Sequence, residues 1–158
     1  MMEYKFLGEE PLALKRYVAG FLFDDLKLSV ALILKQFGPP AIIGKWNAIG
    51  GKCEGNELPM QSITREFQEE AGVYVPNWEQ FLILRGTDWE VYYYHAFSSI
   101  LLRQVHTCEV ERVWIFPLHA LPSTVPNLQW MIPMALHHRE DHVAVYEVIE
   151  KVTTPVLK

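Results

Sequence analysis

The chain has 158 residues, half of them hydrophobic and 13% aromatic. That composition excludes a disordered or low-complexity protein and suffices for one domain, residues 1–158, with a sizeable core. A formal net charge of −5 argues against a binder of nucleic-acid polymers, which normally carries a basic face. No apolar run is long enough to span a bilayer, and the amino terminus, MMEYKFLGEE, lacks the basic-then-apolar order of a secretory signal. Two cysteines, Cys53 and Cys108, make neither a disulfide framework nor a Cys-x-x-Cys pair, so the expected location is the reducing cytoplasm, with no membrane partner.

Met1 to Arg16 mixes Gly8, Pro11 and charged residues and reads as an irregular lead-in with at most a short edge strand. Tyr17 to Phe23 is the first expected strand, Asp24 to Lys27 a polar turn, and Leu28 to Lys35 an apolar return strand. Gly38, Pro39 and Pro40 make the next segment a loop, after which Trp46 to Ile49 leads as a strand into Gly50-Gly51. Pro59 suits the first turn of a helix, Met60 to Ala71 its body, and Gly72 a left-handed cap. Phe81 to Arg85 and Trp89 to Ser98 form a hairpin around Gly86-Thr87-Asp88, and Val113 to Phe116 is a short strand before a helical turn at Leu118 to Leu121. Asn127 can cap a helix running to about His138, with His137 and His138 expected on its surface. His142 to Val152 alternates loosely and is compatible with strand or helix.

Within the predicted helix, Ile63, Phe67 and Ala71 recur at four-residue spacing and should face the core. Glu66, Glu69 and Glu70 sit at i, i+3 and i+4 and converge on another face. Three like charges that close destabilise a bare helix, and a solvated acidic face would not explain why Gly51, Glu57, Arg65 and Gly72 stand at fixed offsets from them. Gly51 is followed by five residues and Glu57; seven more lead to Arg65-Glu66-Phe67, then Glu69-Glu70 and Gly72-Val73.

This stretch, GKCEGNELPMQSITREFQEEAGV, resembles the signature box of the Nudix hydrolases, with every fixed polar and glycine position filled; only Phe67, where the family more often has an aliphatic residue, departs. The resemblance implies an α/β/α sandwich with a mixed β-sheet between helices, and hydrolysis of a nucleoside diphosphate linked to another group X. It implies Mg²⁺, with Mn²⁺ able to substitute, held by Glu66, Glu69, Glu70 and the carbonyl of Gly51, since hard oxygen donors suit these ions. Glu66 and Glu57 are both candidates for the water-activating base, and Arg65 can fix either carboxylate by bidentate hydrogen bonds. Cys53 lies in the box loop without a histidine at nucleophile or zinc spacing and is read as a packed thiol.

Outside the box, Glu109 stands at the better offset for a further metal ligand, ahead of Glu111. Lys45 to Lys52 resembles the branch hydrolysing purine nucleoside triphosphates, oxidised ones included, in which the asparagine after a tryptophan reads the base; Asn47 has that place and both donor and acceptor to do so. Asn127 stands near a second base-reading position, where the branch carries acidic residues that are missing here. Trp46 and Trp130 are candidate walls of the base pocket and Lys35 a candidate phosphate contact. The expected partner is a small nucleotide; the chain is expected as a monomer or homodimer. Dinucleoside polyphosphate, nucleotide-sugar or ADP-ribose hydrolysis, or a nucleotide-sensing module without catalysis, are the alternatives; a sensing module tends to lose box carboxylates, and none is lost.

Overall fold

The computed structural model describes residues 13–141 and 144–151. Its strands are β1 (Lys15–Phe23), β2 (Ser29–Leu34), β3 (Trp46–Asn47), β4 (Ile49–Lys52), β5 (Glu79–Arg85), β6 (Trp89–Phe97), β7 (Val113–Pro117) and β8 (Tyr146–Ile149). Its helices are α1 (Pro59–Ala71), the short α2 (Ser99–Leu102) and α3 (Leu128–Asp141), with one 3₁₀ turn at Leu118–Ala120.

All eight strands join one mixed sheet. The path runs β3-β2-β1-β6-β5-β8, while β4 also pairs with β1 and β7 with β2. β1 is the hub: it runs parallel to β6 along its whole length, from Lys15↔Trp89 to Phe23↔Phe97, and antiparallel to β4 from Tyr17↔Lys52 to Gly20↔Ile49. Alternation along β1 splits the core into two layers. Val18 and Leu22 pack with Ile63, Phe67 and Ala71 of α1, whereas Ala19, Phe21 and Phe23 pack with Leu128, Met131, Ile132 and Ala135 of α3. Helices therefore cover both faces, as the α/β/α expectation requires.

The predicted elements recur with small shifts. β1 begins two residues early, at Lys15, because Lys15 and Arg16 continue the ladder to β6. The ambiguous carboxyl-terminal segment is a strand, since Tyr146–Ile149 completes the sheet edge by pairing in parallel with Leu82–Arg85. The reading of residues 1–12, 142, 143 and 152 lies outside the described residues. α2 has no counterpart among the expected elements: Ser98, the last residue of the expected strand Trp89 to Ser98, caps α2 and accepts a hydrogen bond from Leu101 N–H at 3.1 Å. His138 is a correction. It is only 3% exposed, because it extends the Leu128, Met131, Ile132, Ala135 stripe by one more helical step and so faces the sheet. His137, one position earlier, has an exposed side chain paired with Asp141.

Candidate metal-dependent active site

The site is built where β4 runs into α1. Leu58 N–H donates to the Gln61 side chain at 2.9 Å, Pro59 opens α1, and Gly72 closes it at φ 73°. The cap does more than end the helix. His106 N–H donates to Ala71 O at 3.1 Å and Cys108 N–H to Glu70 O at 3.2 Å, satisfying carbonyls that a helix end leaves open. The loop carrying Glu109 is thereby docked on the end of α1 beside Glu70. A Cβ on Gly72 would lie 2.2 Å from the His106 ring, so glycine is needed for contact as well as for φ.

Arg65 organises the acidic groups. It donates to Glu57 through Nε at 2.7 Å and Nη2 at 3.0 Å, and through Nη1 to Glu66 at 2.8 Å and Glu69 at 3.0 Å. Nη2 also reaches Lys52 O at 3.1 Å, tying α1 to the end of β4. Glu57 accepts further from Ser62 Oγ at 2.7 Å and Glu54 N–H at 3.1 Å. With its lone pairs so engaged, chiefly by Arg65, its carboxyl is held down to about 2. Glu57 is thus placed as an anchor for Arg65 and the loop, with little capacity left to take a proton from water. Ser62, fully buried, had no visible signal in the sequence; it lies one turn before Arg65 and five residues after Glu57.

Glu70 is the opposite case. Its Oε2 is buried with no hydrogen-bond partner. Burial, reinforced by Glu109, Glu111 and Glu66 and opposed by Lys35, pushes its carboxyl up to about 7. Burial also raises Glu66 against the pull of Arg65. A Cβ on Gly51 would sit 2.3 Å from Glu66 Oε2, so the carboxylate lies against bare backbone. An orphaned buried carboxylate oxygen, a second carboxylate seated on a glycine, and an all-oxygen donor set fit a hard divalent cation.

Next to this cluster a cleft of about 410 Å³ is lined by Tyr17, Lys35, Phe37, Asn47, Lys52 and Tyr93, and by Gly50 and Gly51. Asn47 Oδ1 accepts from Ala48 N–H at 2.8 Å, leaving the amide N–H groups for a ligand. Lys35 is steered by Glu111, which accepts its Nζ at 2.5 Å together with the N–H of Gln36 and Phe37 at 2.5 and 3.3 Å. Glu111 is therefore a buried clamp between the β2–β3 loop and the segment carrying Glu109. Trp46 and Trp130 are not among the lining residues: Trp46 packs edge-on against Phe116 at 4.6 Å, and both belong to the α3-side core. Asn127 is half-buried just before α3, where its carbonyl accepts from Met131 N–H at 3.0 Å. Cys53 is partly buried against the α1-side core, consistent with a packed thiol.

The adjacent glycines separate fold from site. A Cβ on Gly50 would meet Val18 O at 2.0 Å, backbone of β1, so Gly50→Ala is expected to destabilise the protein by about 3 kcal/mol. On Gly51 the obstacle is only the end of the Glu66 side chain, so Gly51→Ala should leave stability within about 1 kcal/mol while lowering turnover on the order of 100-fold by displacing that carboxylate. Paired melting and turnover assays check the contrast.

A mixed sheet between helices, with clustered carboxylates beside a cleft at the end of β4, suits a metal-dependent hydrolase. The NUDIX domain model matches residues 13–142, and the chain belongs to the Nudix family, whose enzymes are generally divalent-metal dependent. No curated protein matches in sequence. Among solved structures, an ADP-ribose pyrophosphatase from Streptococcus suis is 16% identical, with TM-score 0.65 over 87% of this chain and 99% of its own. The MutT NUDIX hydrolase of Burkholderia pseudomallei is 21% identical, with TM-score 0.61 over 78% and 95%. The NUDIX domain of Shewanella oneidensis NrtR, complexed with ADP ribose, is 23% identical, with TM-score 0.62 over 88% and 99%. At these identities the likeness is one of fold. Among the described residues no helix is long and apolar enough to cross a membrane.

Proposed function

We propose that the chain hydrolyses a nucleoside triphosphate, a purine one by the reading of Asn47, to the monophosphate and pyrophosphate. The observation that carries the metal-dependent hydrolysis is the buried Glu70 carboxylate beside Glu66 and the Glu109 loop, whose Oε2 has no hydrogen-bond partner. Glu66, Glu69, Glu70, Glu109 and the Gly51 carbonyl would hold Mg²⁺ or Mn²⁺. When bound, the cation neutralises the diphosphate, polarises phosphorus and lowers the pKa of water.

The chain's own residues do the rest. Arg65 fixes the rotamers of Glu57, Glu66 and Glu69 in one fork. Lys35, aimed by Glu111, and Lys52 put positive charge on the cleft wall where phosphates would approach. Asn47 N–H groups can donate to an acceptor on a base edge, and the exposed Phe37 offers a face for it to stack on. With Glu57 committed to four donors, Glu66 is the better candidate within the box to orient the attacking water. Neither protein nucleophile nor covalent intermediate is needed.

The test is turnover, with Mg²⁺, of normal and oxidised nucleoside triphosphates, dinucleoside polyphosphates, nucleotide sugars and ADP-ribose. Purine nucleoside triphosphates are expected to give the highest kcat/KM, and Asn47→Ala to reduce it for purines more than for pyrimidines. A preference for ADP-ribose or a nucleotide sugar would overturn the substrate reading. Tight nucleotide binding with no release of phosphate or pyrophosphate from any substrate would overturn the enzymatic one.

A further inference from the structure

On the opposite face of the sheet from α1, three potential ligands come together from three elements. His95 and Glu79 are direct cross-strand partners on β6 and β5, and His138 reaches them from α3. His95 Nε2 and His138 Nδ1 are 2.9 Å apart, and Glu79 Oε1 is 3.9 Å from the same His138 nitrogen. Among the described residues this is the one group of three His, Cys, Asp or Glu side chains whose ligand atoms all lie within 4.8 Å of one another. The box glutamates, which Arg65 draws toward itself, do not meet that spacing.

The geometry points to a second metal site at Glu79, His95 and His138, of the kind that takes Zn²⁺ or a similar late first-row cation. Two nitrogens sharing a tetrahedral Zn²⁺ at about 2.0–2.1 Å stand roughly 3.3 Å apart, and the observed 2.9 and 3.9 Å bracket that value. Two imidazoles and one carboxylate form a three-ligand set that leaves a fourth position for water. That position is reachable: a cavity of about 180 Å³, lined by Asn77, Glu79, His95, Phe97 and Arg139 among others, opens onto the group. The two imidazoles are buried, at 1% and 3% exposure, and aromatic rings enclose them: Phe81 stacks on His95 at 5.6 Å, Phe97 meets it edge-on at 5.3 Å, and Tyr146 lies 6.4 Å from His138. Such a dry shell favours imidazole–metal bonds over water. Arg139 adds an opposing positive charge, but its guanidinium is turned over the Phe97 ring at 5.2 Å, and the Glu79 carboxylate offsets it. The bound ion would clamp the carboxyl-terminal half of α3 to β5 and β6. It is independent of the box chemistry, since none of its ligands is shared with the box.

The experiment is Co²⁺ titration of the metal-free full chain followed by visible absorption, with Zn²⁺ as competitor. Glu70→Gln removes a ligand of the box site and separates the two sites. Glu70→Gln should bind about one Co²⁺ per chain with the intense bands of a four-coordinate nitrogen- and oxygen-ligated ion, displaced by Zn²⁺; the wild type should show the same bands and take up further Co²⁺ at the oxygen-lined box, where the ion absorbs weakly. His138→Gln should abolish the bands. Glu79→Gln alters a half-exposed side chain that the fold does not need, and should weaken binding by about tenfold or more, because even residues behind the ligands are worth about 10–100-fold. Absence of the bands in Glu70→Gln, or an affinity unchanged in Glu79→Gln, would overturn the site and leave the histidines as a buried hydrogen-bonded pair.

Discussion

Glu66→Gln is expected to lower turnover by on the order of 10³-fold without unfolding the protein. The glutamine keeps an oxygen for Arg65 Nη1, so the 2.8 Å contact can persist, and the packing against Gly51 is nearly isosteric. What is lost is the negative charge on a group that burial already disfavours. One fewer charge in a cluster with Glu69 and Glu70 should leave the melting temperature in chelator equal to or above that of the wild type. The cation linkage then reverses: Mg²⁺ should raise the wild-type melting temperature and barely move that of Glu66→Gln, because a ligand that binds only the folded state stabilises it only at concentrations above its Kd, and by an amount that grows with the logarithm of their ratio. Activity loss with a retained fold and a lost Mg²⁺ response is the expected combination. Wild-type activity in this variant would remove Glu66 from the site.

Arg65→Met should affect both properties. The guanidinium links Glu57, Glu66, Glu69 and the Lys52 carbonyl, and its own pKa is raised, chiefly by Glu57 and then by Glu66. Removing it leaves three carboxylates without their common donor and frees the loop between β4 and α1. A decrease of about 2–4 °C in melting temperature is expected, as for a partly exposed ion-pair network. Turnover should fall on the order of 100-fold or more from misplacement of carboxylates that keep their charge. Arg65→Lys tests the cause. It restores charge without the fork, so it should recover stability more than activity. Equal recovery of both would make Arg65 a counter-charge only.

The box helix was readable because every local signal agreed: Pro59 at its start, Gly72 at its end, and two distinct stripes at helical spacing between. The hub strand β1 was equally plain as a nearly continuous apolar run, Tyr17 to Phe23, which the structure buries on both faces. The signals failed where tertiary contacts decide. Glu109 and Glu111 look alike in sequence, yet Glu111 accepts three donors from the β2–β3 region, a relation between segments more than 70 positions apart. Trp46 and Asn47 are neighbours, but strand alternation sends the tryptophan into the α3-side core and leaves the amide at the cleft. Tyr17, Phe37 and Tyr93 line the cleft only because β1, the β2–β3 loop and β6 meet there. His138 followed the apolar stripe of α3, a period that the pair His137-His138 concealed.

The most direct test of the central claim is product identity for a nucleoside triphosphate hydrolysed in ¹⁸O-water, with Mg²⁺ and again with excess chelator. The account predicts monophosphate and pyrophosphate, one ¹⁸O in one of the two, and turnover that stops with chelator and returns with Mg²⁺. Release of orthophosphate and diphosphate, or turnover indifferent to chelator, would contradict it.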